Sequence, residues 1–176
     1  MKTHVFVAID GSEPAHAAVD LAADLAAKFD VPLTIGHAVQ FDRPTGELMR
    51  MARAEHLAEE VHSETQVDFR NLGGGIIGVP FSDTGEYADV IKVITAIGDK
   101  LLEQAAARAR ERGVATLETV SSQGDPADSI LDMAHKAGAD MIVLGHRGLG
   151  RVRTLLLGSV AQKVVQQAEC TVVSVR

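Results

Sequence analysis

The chain has 176 residues, a net charge of −7 and 46% hydrophobic residues, with only 3% aromatic residues and one cysteine. That length suits a single domain with a real core. The acidic balance and scarce aromatics argue against nucleic-acid partners, which need clustered cations and stacking platforms, and a lone Cys170 excludes an intramolecular disulfide.

Val5 to Ile9 is a short, β-branched apolar run, the pattern of a central parallel strand buried on both faces. Asp10-Gly11-Ser12 breaks it. Ser12 is a good N-cap for a helix with Glu13 and Pro14 in its first turn and Ala15, Ala18, Val19, Ala22, Leu25, Ala26 and Phe29 at helical spacing. Asp30 stops that helix, and Val31 to Val39 reads as the second strand, making one right-handed βαβ unit. His37 within it reads as a packed histidine.

From Phe41 to about Gly98 the pattern is looser. Leu48, Met51, Leu57, Ala58 and Val61 suggest an amphipathic helix. His56, Glu59, Glu60 and His62 lack the spacing of a helical zinc motif and are better read as its solvated face. Gly73-Gly74-Gly75 and Gly78-Val79-Pro80 mark an irregular loop. Asp83 or Thr84 then caps a helix whose stripe is Tyr87, Val90, Ile91, Ile94, Leu101, Leu102, Ala105 and Ala109, ending at Gly113.

Thr116 to Ser121 reads as the third strand. Asp125 caps the next helix, with Pro126 at its first position, Ile130, Leu131, Ala134 and Ala137 facing the core, and Gly138 as its stop. Met141 to Leu144 is the fourth strand, Gly158 to Gln167 the last helix and Thr171 to Val175 the fifth strand, with Cys170 expected as a small buried residue before it. The order predicts an α/β, three-layer sandwich around a five-stranded, mainly parallel sheet. No run reaches membrane-spanning length and no signal-peptide core precedes the first strand, so a soluble cytoplasmic protein without a membrane partner is expected.

Behind the fourth strand lies Gly145-His146-Arg147-Gly148-Leu149-Gly150, and Gly158-Ser159 opens the last helix. The spacing Gly-x2-Gly-x9-Gly-Ser is neither a P-loop nor a dinucleotide fingerprint. It is nonetheless a phosphate cradle in outline: glycines let backbone N–H groups approach an anion, and a helix N-terminus adds unpaired donors and a favourable dipole. Arg147, Arg151 and Arg153 put positive charge in the same loop. His146 is a single histidine without an oriented partner, which makes no catalytic pair.

With this spacing, the chain resembles the nucleotide-binding branch of the universal stress protein family. The opening Val7-Ala8-Ile9-Asp10-Gly11-Ser12, Gly36-His37-Ala38-Val39, Gly124-Asp125-Pro126 and the closing Cys170-Thr171-Val172-Val173 share the likeness, which covers about residues 1–40 and 84–176. The resemblance implies an adenine nucleotide alpha-hydrolase-like fold over residues 1–176, with a long insert at about 41–83 able to serve as a lid or partner surface. It implies that Asp10 holds the ribose side and that the backbone at Ala38 meets the adenine edge. Gly145, Gly148, Gly158, Ser159 and the N–H of Val160 would cradle phosphates, with Gly11, Ser12, Leu144 and Arg147 completing the binding set. Ser12 is also the helix cap read above, and the two roles stand side by side. The implied ligand is ATP, or ADP or AMP, with any Mg²⁺ held by phosphate oxygens and water rather than by protein carboxylates. The implied role is a stress-response regulatory switch working through a partner protein or a homodimer built on Thr171 to Val175, where Thr171 replaces a common proline, so the last strand keeps all its N–H groups. Two alternatives stay open: a slow ATPase or nucleotide-hydrolysing enzyme, and an interaction module that has lost its nucleotide.

Overall fold

The computed structural model describes residues 3–40, 57–67, 84–148 and 157–176. These hold five strands, β1 (Val5–Ile9), β2 (Leu33–Val39), β3 (Leu117–Gln123), β4 (Met141–Gly145) and β5 (Thr171–Val175). Five helices accompany them: α1 (Glu13–Phe29), α2 (Ala58–Thr65), α3 (Thr84–Glu111), α4 (Pro126–Lys136) and α5 (Ser159–Gln167). Leu48, Met51, His56, the Gly73–Gly75 run, Arg151 and Arg153 lie outside the described residues.

The sheet is parallel with strand order β3-β2-β1-β4-β5. Val5 of β1 lies opposite both Leu33 and Met141, so the strands run in step, and Ile9 is level with His37 as Ala8 is with Leu144. Full burial of β1 and β2 explains why both read as continuous apolar runs. On one face, Phe6, Ala8, Ile142 and Leu144 pack with Ala127, Ile130, Met133 and Ala134 of α4 and Ala161 and Val164 of α5. On the other, the small-residue stripe of α1, including Ala15, Ala18, Val19, Ala22 and Ala26, is buried where that helix meets β1 and β4. Asp20 receives the Arg108 guanidinium, and Arg112 bonds Asp24 at 2.8 Å, which fastens the C-terminal end of α3 beside α1. The three-layer expectation is thus met, and the sheet is parallel throughout.

The backbone groups into two compact units, Met1–Ala38 with Leu101–Arg176, and Val39–Lys100. The first carries β1, α1, β3, α4, β4, α5 and β5. The second carries α2 and the N-terminal part of α3, and buries Leu57, Val61, Val90, Val93, Ile94 and Ile97. There His62 Nδ1 lies 2.8 Å from Val67 O, and Lys100 bonds Glu64 at 2.8 Å with Glu60 at 4.0 Å.

Several element ends differ from expectation: β4 runs on to Gly145 rather than stopping at Leu144, and α5 starts at Ser159 rather than Gly158. β2 starts at Leu33 rather than Val31, because the Val31 N–H still closes the end of α1 on Ala26 O. β3 starts one residue later and continues to Gln123: it is a polar edge strand with none of its residues fully buried, so hydrophobicity does not mark its end. Cys170 is half-buried, because it stands at the entry to the opposite edge strand.

Candidate functional site

In open parallel sheets, ligands bind beyond the carboxyl ends of the strands where the strand order reverses. Here that point lies between β1 and β4. The shared register brings Asp10, just past β1, beside Gly145 at the end of β4, with Ala38 at the end of β2 on the other side.

Asp10-Gly11-Ser12 folds back on itself, with Gly11 at a φ of 77° where a side chain would be strained. Ser12 is the N-cap of α1: its hydroxyl accepts the Ala15 N–H at 3.4 Å and donates to Asp10 Oδ1 at 2.6 Å. Arg147 O stands 3.5 Å from the same hydroxyl, a polar neighbour from the glycine turn.

The glycine turn is held from three sides. A Cβ on Gly145 would lie 2.9 Å from Pro14 Cβ and 3.0 Å from its carbonyl carbon, so only glycine lets β4 end against the first turn of α1. His146 N–H donates to Val175 O at 2.6 Å, and its ring Nδ1 lies 3.0 Å from the same oxygen. His146 O accepts the Gly158 N–H at 2.7 Å, drawing the start of α5 onto the turn. A Cβ on Gly148 would collide with Asp10 Oδ2, which shows how closely β1 and the turn approach.

The helix N-termini of the first unit differ in kind. Asp125 caps α4, accepting from Ala127 N and Asp128 N at 3.1 Å each. The Asp128 N–H, then Lys163, hold its carboxyl below the usual carboxylate range. Lys163 of α5 bonds Asp125 at 3.0 Å and Asp128 at 2.6 Å, and these partners raise its own affinity for the proton. α5 opens at Gly158 with no side-chain cap and no acidic residue in its first turn. Its first N–H groups, those of Ser159, Val160 and Ala161, precede any helical acceptor and stand next to the glycine turn. Among the described residues, Arg147 Nε in that turn is a buried nitrogen without a hydrogen-bond partner. Open helix N–H groups and an arginine at one point are the kind of donors that suit an anion.

The structure places Asp10, Gly11, Ser12, Gly145, Arg147, Gly148, Gly158, Ser159 and Val160 beyond the carboxyl ends of β1 and β4, with Leu144 buried in β4. Ala38 ends the neighbouring strand. His37 is buried with Nδ1 3.0 Å from Ile9 O. Sequence reasoning missed His146 as the tie between the turn, α5 and β5; no local pattern marks a bond between residues so far apart in the chain. It also missed that Ser12 serves Asp10 as well as α1, although the Asp-Gly-Ser turn carries that signal.

The fold is that of an α/β protein with an all-parallel sheet and a glycine-rich turn at its switch point. The universal stress protein family model matches residues 1–176, and the chain belongs to that family. Universal stress protein YxiE of Bacillus subtilis is 34% identical over 176 residues, covering 100% of both chains. Among solved structures, the universal stress protein UspA of Lactobacillus plantarum superposes with a TM-score of 0.71 at 22% identity, over 99% of this chain and 98% of that one. A universal stress protein crystallised in complex with cAMP superposes with a TM-score of 0.62 at 22% identity, over 99% and 97%.

Proposed function

We propose that this chain binds an adenine nucleotide, ATP first and ADP or AMP as relatives, and works as a stress-response switch. The observation that carries this is the uncapped N-terminus of α5 beside Gly148 and the unpaired Arg147 Nε. Phosphates would take the N–H groups of Ser159 and Val160, the Ser159 hydroxyl and the Arg147 guanidinium, while Asp10 would take the sugar and the backbone at Ala38 the base. The placement of an anion at one end and a carboxylate at the other gives the ligand a direction. Phosphates are favoured at a helix N-terminus and repelled by Asp10. A universal stress protein complex with cAMP supports adenine as the base.

The readout would run through His146. It donates to Val175 O while its own carbonyl holds Gly158, so ordering the turn around phosphates also orders the end of β5, an edge strand with Thr171 and Ser174 exposed. An edge strand pairs readily with a second copy. The chain would act in the cytoplasm as a homodimer through Thr171–Val175, on a partner protein that reads the insert or the edge.

The test is the nucleotide content of the purified protein, released by denaturation and resolved by ion exchange, with calorimetric titration of ATP into the stripped protein. Bound or titratable adenine nucleotide, lost in Gly148→Val, is expected. No released nucleotide and no heat would overturn the binding reading. For the dimer, Val173→Lys should halve the mass seen by light scattering; an unchanged mass would refute this interface.

A further inference from the structure

The carboxylate of Asp10 is held asymmetrically. Ser12 N–H donates to Oδ1 at 3.1 Å and Ser12 Oγ–H donates to the same oxygen at 2.6 Å. A hydroxyl has one proton, so the shorter contact takes it, and Arg147 O at 3.5 Å is a neighbour rather than the acceptor. Among the described residues, every hydrogen bond to this carboxylate ends on Oδ1. Oδ2 is the oxygen pressed towards Gly148. Ser12 itself is 6% exposed and cannot reach out to a ligand as an open side chain would.

A free carboxylate rotates and offers lone pairs in several directions. Two donors from one residue remove both freedoms, leaving a single charged acceptor, Oδ2, aimed beside the glycine turn. Such an acceptor takes a neutral hydroxyl donor and rejects a phosphate. We infer that Ser12 is a positioning residue: it clamps Asp10 so that Oδ2 receives a sugar hydroxyl, and it thereby sets selectivity for a hydroxyl-bearing sugar without touching the ligand. This rests on the nucleotide reading above and deepens it.

Calorimetric titrations of ATP and 2′,3′-dideoxy-ATP into the stripped protein, Ser12→Ala, Ser12→Gly and Ser12→Thr test it. The wild-type protein should prefer ATP by about tenfold or more, the worth of a hydrogen bond to a charged group. Ser12→Ala should shrink that preference to about threefold or less, and Ser12→Thr, which keeps the hydroxyl, should restore it. Ser12 also caps α1, and a weakened cap lowers affinity for both nucleotides alike, so the ratio isolates the clamp. Ser12→Gly removes the hydroxyl at little cost to the cap, which keeps the test readable if the alanine variant folds poorly. A preference that survives in Ser12→Ala and Ser12→Gly, or wild-type protein that binds both nucleotides equally, overturns the clamp and leaves nucleotide binding standing. Wild-type protein that binds neither overturns the nucleotide reading, and the clamp with it.

Discussion

Helices α4 and α5 pack side by side and both begin beyond the carboxyl end of a strand, yet their first turns are built oppositely. α4 carries its own anion: the Asp125 carboxylate fills two backbone donors, and Pro126 removes a third. α5 begins on Gly158, offers its donors uncapped and has no acidic residue in its first turn. A helix end that supplies its own cap is finished; one that does not has to find its anion elsewhere or leave donors to water. Within one fold, a helix start that is closed by its own side chain and one that is left open differ by which residue occupies the cap.

The strongest way to break this contrast is to close the glycine turn in front of α5. Gly148→Val puts side-chain atoms where Asp10 Oδ2 now lies. Asp10 can give way only by loosening its Ser12 bonds, so Tm should fall by about 3–6 °C, while calorimetric ATP affinity should fall by about a hundredfold, roughly 2.7 kcal/mol. Retained affinity would show that phosphates do not enter there. The next step is to make the two helices alike. Gly158→Asp gives α5 the cap that α4 has, and should cost about tenfold in ATP affinity while adding a few tenths of a kcal/mol of stability; unchanged affinity in that titration would disconnect the open cap from binding.

The reverse change, Asp125→Ala, should cost about 1 kcal/mol in denaturant unfolding and leave ATP affinity within about twofold. Its pH dependence has a definite sign. The folded-state pKa of Asp125 is lowered, first by the Asp128 N–H and then by Lys163. The charge-dependent part of its contribution is therefore complete above the unfolded-state value and disappears as pH falls through the lower, folded one. The stability gap between wild type and Asp125→Ala should hold from neutral pH into mild acid and narrow below the ordinary carboxylate range; a gap that widened there would refute the assignment. Smallest of all, Lys163→Met removes an ion pair from exposed carboxylates and should shift Tm by no more than about 1 °C.

The Asp125 cap was legible in the sequence, and so, to within one residue, was the start of α5, for the same reason. Asp125-Pro126 and Gly158-Ser159 are local patterns, with the structural information inside a few adjacent residues. The full burial of Val5–Ile9 and the stop of α1 at Asp30, which takes a left-handed conformation, are local in the same sense. The Gly-x2-Gly-x9-Gly-Ser spacing singled out one loop, but it could not say what each glycine is for. Gly145 makes room for Pro14, and Gly148 for Asp10, and both neighbours belong to the other end of the chain. The tie from His146 to Val175 is likewise fixed only once β4 and β5 lie side by side. Ser12 shows a different limit: the sequence identified a cap and the Asp-Gly-Ser turn signals the bond from the Ser12 N–H to Asp10, but that the hydroxyl also donates to the carboxylate while accepting from α1 is seen only in the structure.

The strand order also governs how this molecule must be made. Val5 pairs with Leu33 on one side and with Met141 on the other. The first neighbour is synthesised soon after β1, the second only when most of the chain exists. Throughout that interval a strand destined for the centre of the sheet presents one bare row of N–H and C=O groups. Long-range parallel pairing is slow, and an exposed apolar edge is prone to aggregate. Helix α1, whose small-residue stripe packs on β1, can cover one apolar face of that strand early, but its hydrogen-bonding edge stays open until β4 arrives.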